Sequence, residues 1–173
     1  MKTKPILSSL LFAILATLTL ACSKKEPVPD SPPTIQFYSV TKTTLISSIS
    51  KRDSVVITVG YKDQDGNLGE SDASRIRQIF ANQSWSNYRL ESFQFINGAF
   101  SPLSTGTASK LPFFPSLGNQ NKPTEGLLSF SQVYPYTNGY RLVPIKFRVQ
   151  IRDQNLNESN VIETDTIRLP ITP

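Results

Sequence analysis

The sequence predicts an all-β domain, an immunoglobulin-like or fibronectin-like antiparallel β-sandwich of about seven strands. Three observations predict it. Beyond residue 33 the apolar residues recur with a period of two rather than 3.6. Clusters of Gly, Pro and Asn punctuate the alternating stretches. Only Asp72 to Phe80 has helical spacing, and it is short enough to predict one turn of helix at most, with Asp72 placed to cap it.

Taken in order, Ile35, Phe37 and Val40 alternate with Gln36 and Ser39 to open the first strand. Asp53 to Asp63 is the clearest, with Val55, Ile57, Val59 and Tyr61 on one face. Tyr88, Leu90, Phe93 and Phe95 mark a third strand over Asn87 to Ile96. Asn97-Gly98 is a hairpin turn signal and leads into a short strand over Ala99 to Leu103. Gly126 to Val133 follows with Leu128 and Phe130. Val143, Ile145, Phe147, Val149 and Ile151 alternate cleanly over Val143 to Arg152, and Val161 to Leu169 closes the domain.

The N-terminus is organised differently. Lys2 and Lys4 precede an apolar run from Ile6 to Leu20, and Ala21 stands before Cys22, which is the order of an export signal. The run is about 15 residues, shorter than the roughly 20 a bilayer-spanning helix needs. Thr19-Leu20-Ala21-Cys22 resembles the lipobox of bacterial lipoproteins, in which the cysteine is acylated and becomes the mature N-terminus. The resemblance implies palmitate or a related acyl chain on Cys22. Residues 1–21 are then a lipoprotein signal peptide. Residues 22–33 form a lipidated, Pro-rich tether containing SKKEPVPDSPP, and 34–173 form the folded domain. Such a protein is lipid-anchored in the outer membrane, facing either the periplasm or the surface.

Composition narrows the chemistry. The chain has no histidine, which excludes Ser-His-Asp and Cys-His nucleophile pairs and His-ligated zinc. Its single cysteine excludes an internal disulfide or a thiolate cluster. The net charge of +5 falls to +3 once Lys2 and Lys4 leave with the signal, and no basic stripe interleaved with aromatics remains, so nucleic acid is not an expected partner.

Three segments together carry a further resemblance: Pro33-Thr-Ile-Gln-Phe, the loop Asp63-Gln-Asp-Gly-Asn-Leu-Gly69, and Arg152-Asp-Gln-Asn-Leu-Asn-Glu-Ser-Asn160 followed by Glu163-Thr-Asp-Thr-Ile-Arg-Leu169. This arrangement resembles small lipoproteins of Bacteroidota in which a lipobox and Pro-rich linker precede one Ig-like domain with a DxDGxLG loop. That group has no established activity, so the resemblance bears on fold and location.

Candidate sites lie outside the strands. Asp63, Asp65, Asn67, Glu70 and Asp72 place five oxygen-bearing side chains within ten residues, the donor type calcium takes. Asp153, Asn155, Asn157 and Glu158 form a second polar loop, and a shared calcium site results if the topology sets the two loops side by side. On the other reading, Asp, Asn and Gly end the strands through Asx turns, Leu68 tucks into the core, and the chain needs no cofactor. Trp85, Tyr88 and Tyr136 are candidate ligand-binding rings, alongside Phe113, Phe114, Tyr134 and Tyr140, for stacking on glycan or contacting an envelope protein. Rings of this kind also serve to cover the ends of a core. Carboxylate pairs for a small envelope hydrolase would come from Asp63, Asp65, Glu70, Glu91 or Glu125, but no spacing selects a pair. The expectation is a membrane-anchored, non-catalytic binding or scaffold module. A hydrolase or a glycan-binding accessory protein is the alternative.

Overall fold

In the structure, a computed structural model, residues 30–103 and 122–172 are described. The predicted signal peptide, Cys22, most of the tether, and Phe113 and Phe114 lie outside them. Among the described residues, eight strands and one helix follow in order: β1 (Thr34–Ile46), β2 (Lys51–Asp63), α1 (Ala73–Phe80), β3 (Tyr88–Ile96), β4 (Ala99–Pro102), β5 (Thr124–Pro135), β6 (Arg141–Ile151), β7 (Ile162–Glu163) and β8 (Ile167–Ile171).

The strands form two antiparallel sheets, β1-β2-β5 and β4-β3-β6-β7, with β8 paired to β6 along the same edge as β7. In a constant-type immunoglobulin domain the fourth strand joins the first sheet. Here β4 pairs with β3 instead, so the fourth strand extends the second sheet, as the fibronectin-like alternative requires. The Asn97-Gly98 signal closes that hairpin with both residues at positive φ, 52° and 83°.

Strand phase explains the core. On β2 the odd positions point inward, and Val55, Ile57 and Val59 are fully buried. They meet Ile145, Phe147, Val149 and Ile151 of β6, which are fully buried as well, with Leu128 and Phe130 of β5 beside them. Each such side chain contributes roughly 1.5–3 kcal/mol on burial. Exposed ion pairs such as Lys62–Glu125 contribute about 0–1 kcal/mol. The apolar interior therefore holds the sheets together.

Three details differ from the sequence expectation. The first strand continues to Ile46 after a bulge between Phe37 and Ser39, because its second half pairs with β2 as an exposed edge and needs no apolar alternation. Asp72 to Phe80 becomes a full eight-residue helix with Asp72 as its N-cap. The closing strand is interrupted at Thr164 to Thr166, where the Thr164 hydroxyl accepts the Phe147 backbone N–H and splits it into β7 and β8.

Candidate metal centre

Register decides what shares an end of the sandwich. Thr34 of β1 pairs with Lys62 of β2, and Tyr88 of β3 pairs with Ile151 of β6. The segment before β1, the loop after β2 and the loop after β6 therefore emerge together. These are Asp30, residues 63–70 and residues 153–160.

The 63–70 loop is built on Asp63, the last inward position of β2, which is 1 % exposed. Its Oδ2 accepts the Leu68 backbone N–H at 2.9 Å, closing the loop and turning the Leu68 side chain into the core. Gly66 and Gly69 make the reversal possible with φ of 70° and 81°, a region costly for other residues. Asn67 Nδ2 donates to Asp65 Oδ2 at 3.0 Å. The second loop winds around Asp153, also 1 % exposed. Asp153 Oδ1 accepts the Asn157 N–H at 2.8 Å and Oδ2 accepts Asn157 Nδ2 at 3.0 Å. Leu156 takes a positive φ of 68° to complete that turn, a strained position for a branched side chain.

The loops are joined directly. Gln154 donates its backbone N–H to the Asn67 carbonyl at 3.3 Å and its Nε2 to the Gly69 carbonyl at 2.6 Å. Asp30 closes the third side, with Oδ1 accepting Nδ2 of Asn155 at 2.9 Å and of Asn157 at 2.8 Å. One carboxylate oxygen each from Asp30, Asp65 and Asp153 lies within 4.8 Å of the others.

Electrostatically the cluster is uncompensated. Among the described residues none of Asp30, Asp63, Asp65 or Asp153 forms an ion pair. Asp63 Oδ1, Asp65 Oδ1 and Asn67 Oδ1 are buried acceptors with no hydrogen-bond donor. Burial, then the neighbouring Asp65, pushes the Asp63 carboxyl up to about 7. Burial likewise raises Asp153, against hydrogen bonds from Asn157 and Asn67 that lower it. Arg152, next to Asp153 in the chain, is engaged elsewhere, its Nε donating to the Ser86 carbonyl at 2.6 Å and its guanidinium stacking 4.1 Å over Trp85, while Arg75 bonds Gln154 Oε1 at 3.1 Å. Such a set of hard oxygen donors suits a hard cation.

Not every residue singled out in sequence belongs here. Glu70 Oε1 accepts the backbone N–H groups of Ser71 and Asp72 at 2.8 and 2.9 Å, and Oε2 pairs with Arg75 Nε at 3.2 Å. Asp72 Oδ1 accepts the Ser74 and Arg75 N–H groups at 2.7 and 3.2 Å, capping α1, and bonds from Ser74 hold its carboxyl below the usual range. Both are committed to the start of the helix, and sequence proximity overstated their part in the cluster. Glu158 instead accepts Gln150 Nε2 at 3.2 Å. Asp30 carried no signal in sequence, because the tether composition hid it.

The structure does not gather Trp85, Tyr88 and Tyr136, the candidate ligand-binding rings, on one surface. Trp85 is buried between Arg152 and Arg89, and Tyr88 packs on Phe130 at 4.4 Å between ring centroids. Tyr136 sits at the opposite end of the sandwich, where its backbone N–H bonds the Lys51 carbonyl and Lys51 Nζ lies 4.1 Å from the ring. Tyr134 is buried, and Tyr140 packs edge-on against Tyr136. Comparison of the chain with protein-family models, curated proteins and solved structures finds no match in any of the three.

Proposed function

We propose that the chain is a lipid-anchored module of the bacterial outer membrane, acylated at Cys22, that binds or scaffolds another envelope protein without catalysis. The observation that carries the binding half is the outer face of the second sheet. There the odd positions of β3 point away from the core and meet β4 and β6. Phe95 is 42 % exposed and its ring lies 5.2 Å from that of Phe100. Lys146 Nζ sits 4.6 Å from the centre of the Phe100 ring, and the Arg148 guanidinium 4.5 Å from that of Phe93. Sugar recognition by stacking needs an open ring face. Two of these rings already carry a cation, so the surface favours a protein partner over a glycan.

The alternative, a small envelope hydrolase using paired carboxylates, draws less support, because its candidate carboxylates have other partners. Glu91 lies beside Arg89, Glu125 beside Lys62, Glu70 holds the start of α1, Asp63 accepts the Leu68 N–H and Asp65 the Asn67 amide.

The test is palmitate labelling in cells, followed by membrane fractionation and cross-linking. The unaltered chain takes the label and pellets with membranes, Cys22→Ser does neither, and Phe95→Lys loses the cross-linked partner while keeping the label. Absence of label, or capture unchanged by Phe95→Lys, overturns the corresponding half.

A further inference from the structure

We propose that Asp30, Asp63, Asp65, Asn67 and Asp153 bind one calcium ion, which fastens the segment entering β1 to the two loops that end β2 and β6. The proposal goes beyond the lipoprotein reading and does not depend on it.

Two independent observations carry it. The first is geometric: oxygens of Asp30, Asp65 and Asp153, from three separate segments, converge within 4.8 Å of one another. That is no more than about twice a calcium–oxygen bond of 2.3–2.6 Å, so all three can touch one ion at once. The second is the orphaned oxygens. Asp63 and Asp65 are 1 % and 8 % exposed, and each leaves Oδ1 without a donor, as does Asn67. A buried acceptor without a donor costs about 1–3 kcal/mol, more when charged, and native interiors tolerate few. Here three occur within five residues, beside two further carboxylates. Among the described residues outside the cluster, buried Asp53 has its donors, and Glu70 Oε2, which has no hydrogen bond, is paired with Arg75 at 3.2 Å.

An Asx-turn role accounts for Asp63 Oδ2 and for both oxygens of Asp153. With Asp63 and Asp65 both ionised it leaves the three oxygens orphaned, and they are what a cation would take. Carboxylates, one amide oxygen and water make a calcium donor set, whereas softer metals favour sulfur and nitrogen ligands that this chain lacks here. Asp30 gives the site its consequence. It is an exposed residue four positions before β1, and its carboxylate ties the incoming chain to the far loop only through Asn155 and Asn157. A shared ion would make that attachment firm and calcium-dependent.

The experiment uses the full chain purified in detergent, stripped with a chelator and titrated with calcium chloride by calorimetry and thermal melting. One equivalent binds with a dissociation constant of about 1 mM or tighter. At a hundredfold excess over that constant the melting temperature rises by roughly 5–10 °C. Asp65→Asn and Asp153→Asn lose the calcium shift; Asp65→Asn melts in chelator no lower than the parent, which separates lost binding from lost folding, whereas Asp153→Asn melts lower because it gives up an acceptor for Asn157. Asp30→Asn weakens binding several-fold. Asp72→Ala melts lower, through the lost helix cap, yet keeps the full calcium shift. No shift in the parent chain, an unchanged shift in Asp65→Asn and Asp153→Asn, or an equal response to magnesium overturns the proposal.

Discussion

Strand β2 carries a buried aspartate near each end, and the two have opposite surroundings. Asp53 and Asp63 share the inward face of the strand and are 0 % and 1 % exposed. Around Asp53 the chain supplies everything a carboxylate needs. Thr44 Oγ1 donates at 2.7 Å, the Tyr136 hydroxyl lies 3.3 and 3.2 Å from its two oxygens, and Lys42 Nζ is 3.5 Å away. Asp63 receives one backbone N–H and otherwise faces Asp65 and Asp153. Burial is equal at the two ends; compensation is not. A carboxylate that only fastens a strand end looks like Asp53, and what distinguishes Asp63 is the missing positive partner.

The largest test of that contrast is to remove each carboxylate in turn. Asp53→Ala strands two hydroxyls and a lysine around a void. Its expected cost is about 3 kcal/mol, read from denaturant unfolding, and equal in calcium and in chelator. Asp63→Asn keeps an oxygen for the Leu68 N–H while removing a charge from a like-charged group. In chelator it should be neutral or stabilising by up to about 1 kcal/mol, and in calcium it should be destabilising. If both variants lost the same amount under both conditions, the two ends would be equivalent and the contrast would fail.

Acidity supplies the next test. In the folded chain without a cation the Asp63 carboxyl is pushed up to about 7, against about 3.9 for an unfolded aspartate, and Asp153 moves in the same direction. The unfolded state therefore gives up these protons first as pH rises. Stability is fully present below about pH 4 and declines as pH climbs through 7, by on the order of 2 kcal/mol from this cluster. Calcium favours the ionised form and should reverse that slope between pH 5 and 8. Urea midpoints across this range, with and without chelator, check the sign. A chelated chain that grows more stable from pH 5 to 8 would remove the like-charge interpretation.

Much of this contrast was legible in sequence. The phase that puts Val55, Ile57, Val59 and Tyr61 inward also puts Asp53 and Asp63 inward, so both burials follow from the period of two. The two polar loops were visible as well, but their contact depends on the ends of β2 and β6 lying at one end of the sandwich, which pairing partners set and local pattern does not. Asp30 was invisible for a related reason: nothing in a Pro-rich run says which residue turns back to meet a loop 125 residues on. Glu70 and Asp72 misled because closeness along the chain places a residue near a site without aiming it there. The first turn of α1 has backbone N–H groups of its own to satisfy, and those two acids serve it. Trp85 takes the other role the sequence left open for it, packing at the end of the core, where Arg152 and Arg89 cover it.

The smallest expected effect probes whether the Asp53 end is as self-sufficient as its geometry implies. Tyr136→Phe removes one donor from a carboxylate that keeps Thr44 and Lys42. The hydroxyl is a shared and rather long partner, at 3.3 and 3.2 Å, on a half-buried ring. A hydrogen bond to a charged group contributes about 1.5–3 kcal/mol at its best, so this one should contribute about 1 kcal/mol. The ring keeps its place between Lys51 and Tyr140, which confines the loss to the hydroxyl. Burial and the nearby Asp53 charge both hold the Tyr136 phenol above its usual ionisation range, so it remains a neutral donor throughout the pH range of the preceding test. The loss should accordingly be independent of pH from 5 to 8 and of calcium. A loss that grew when calcium was withdrawn would mean that the two ends communicate through β2, and Asp53 could no longer serve as the compensated reference for Asp63.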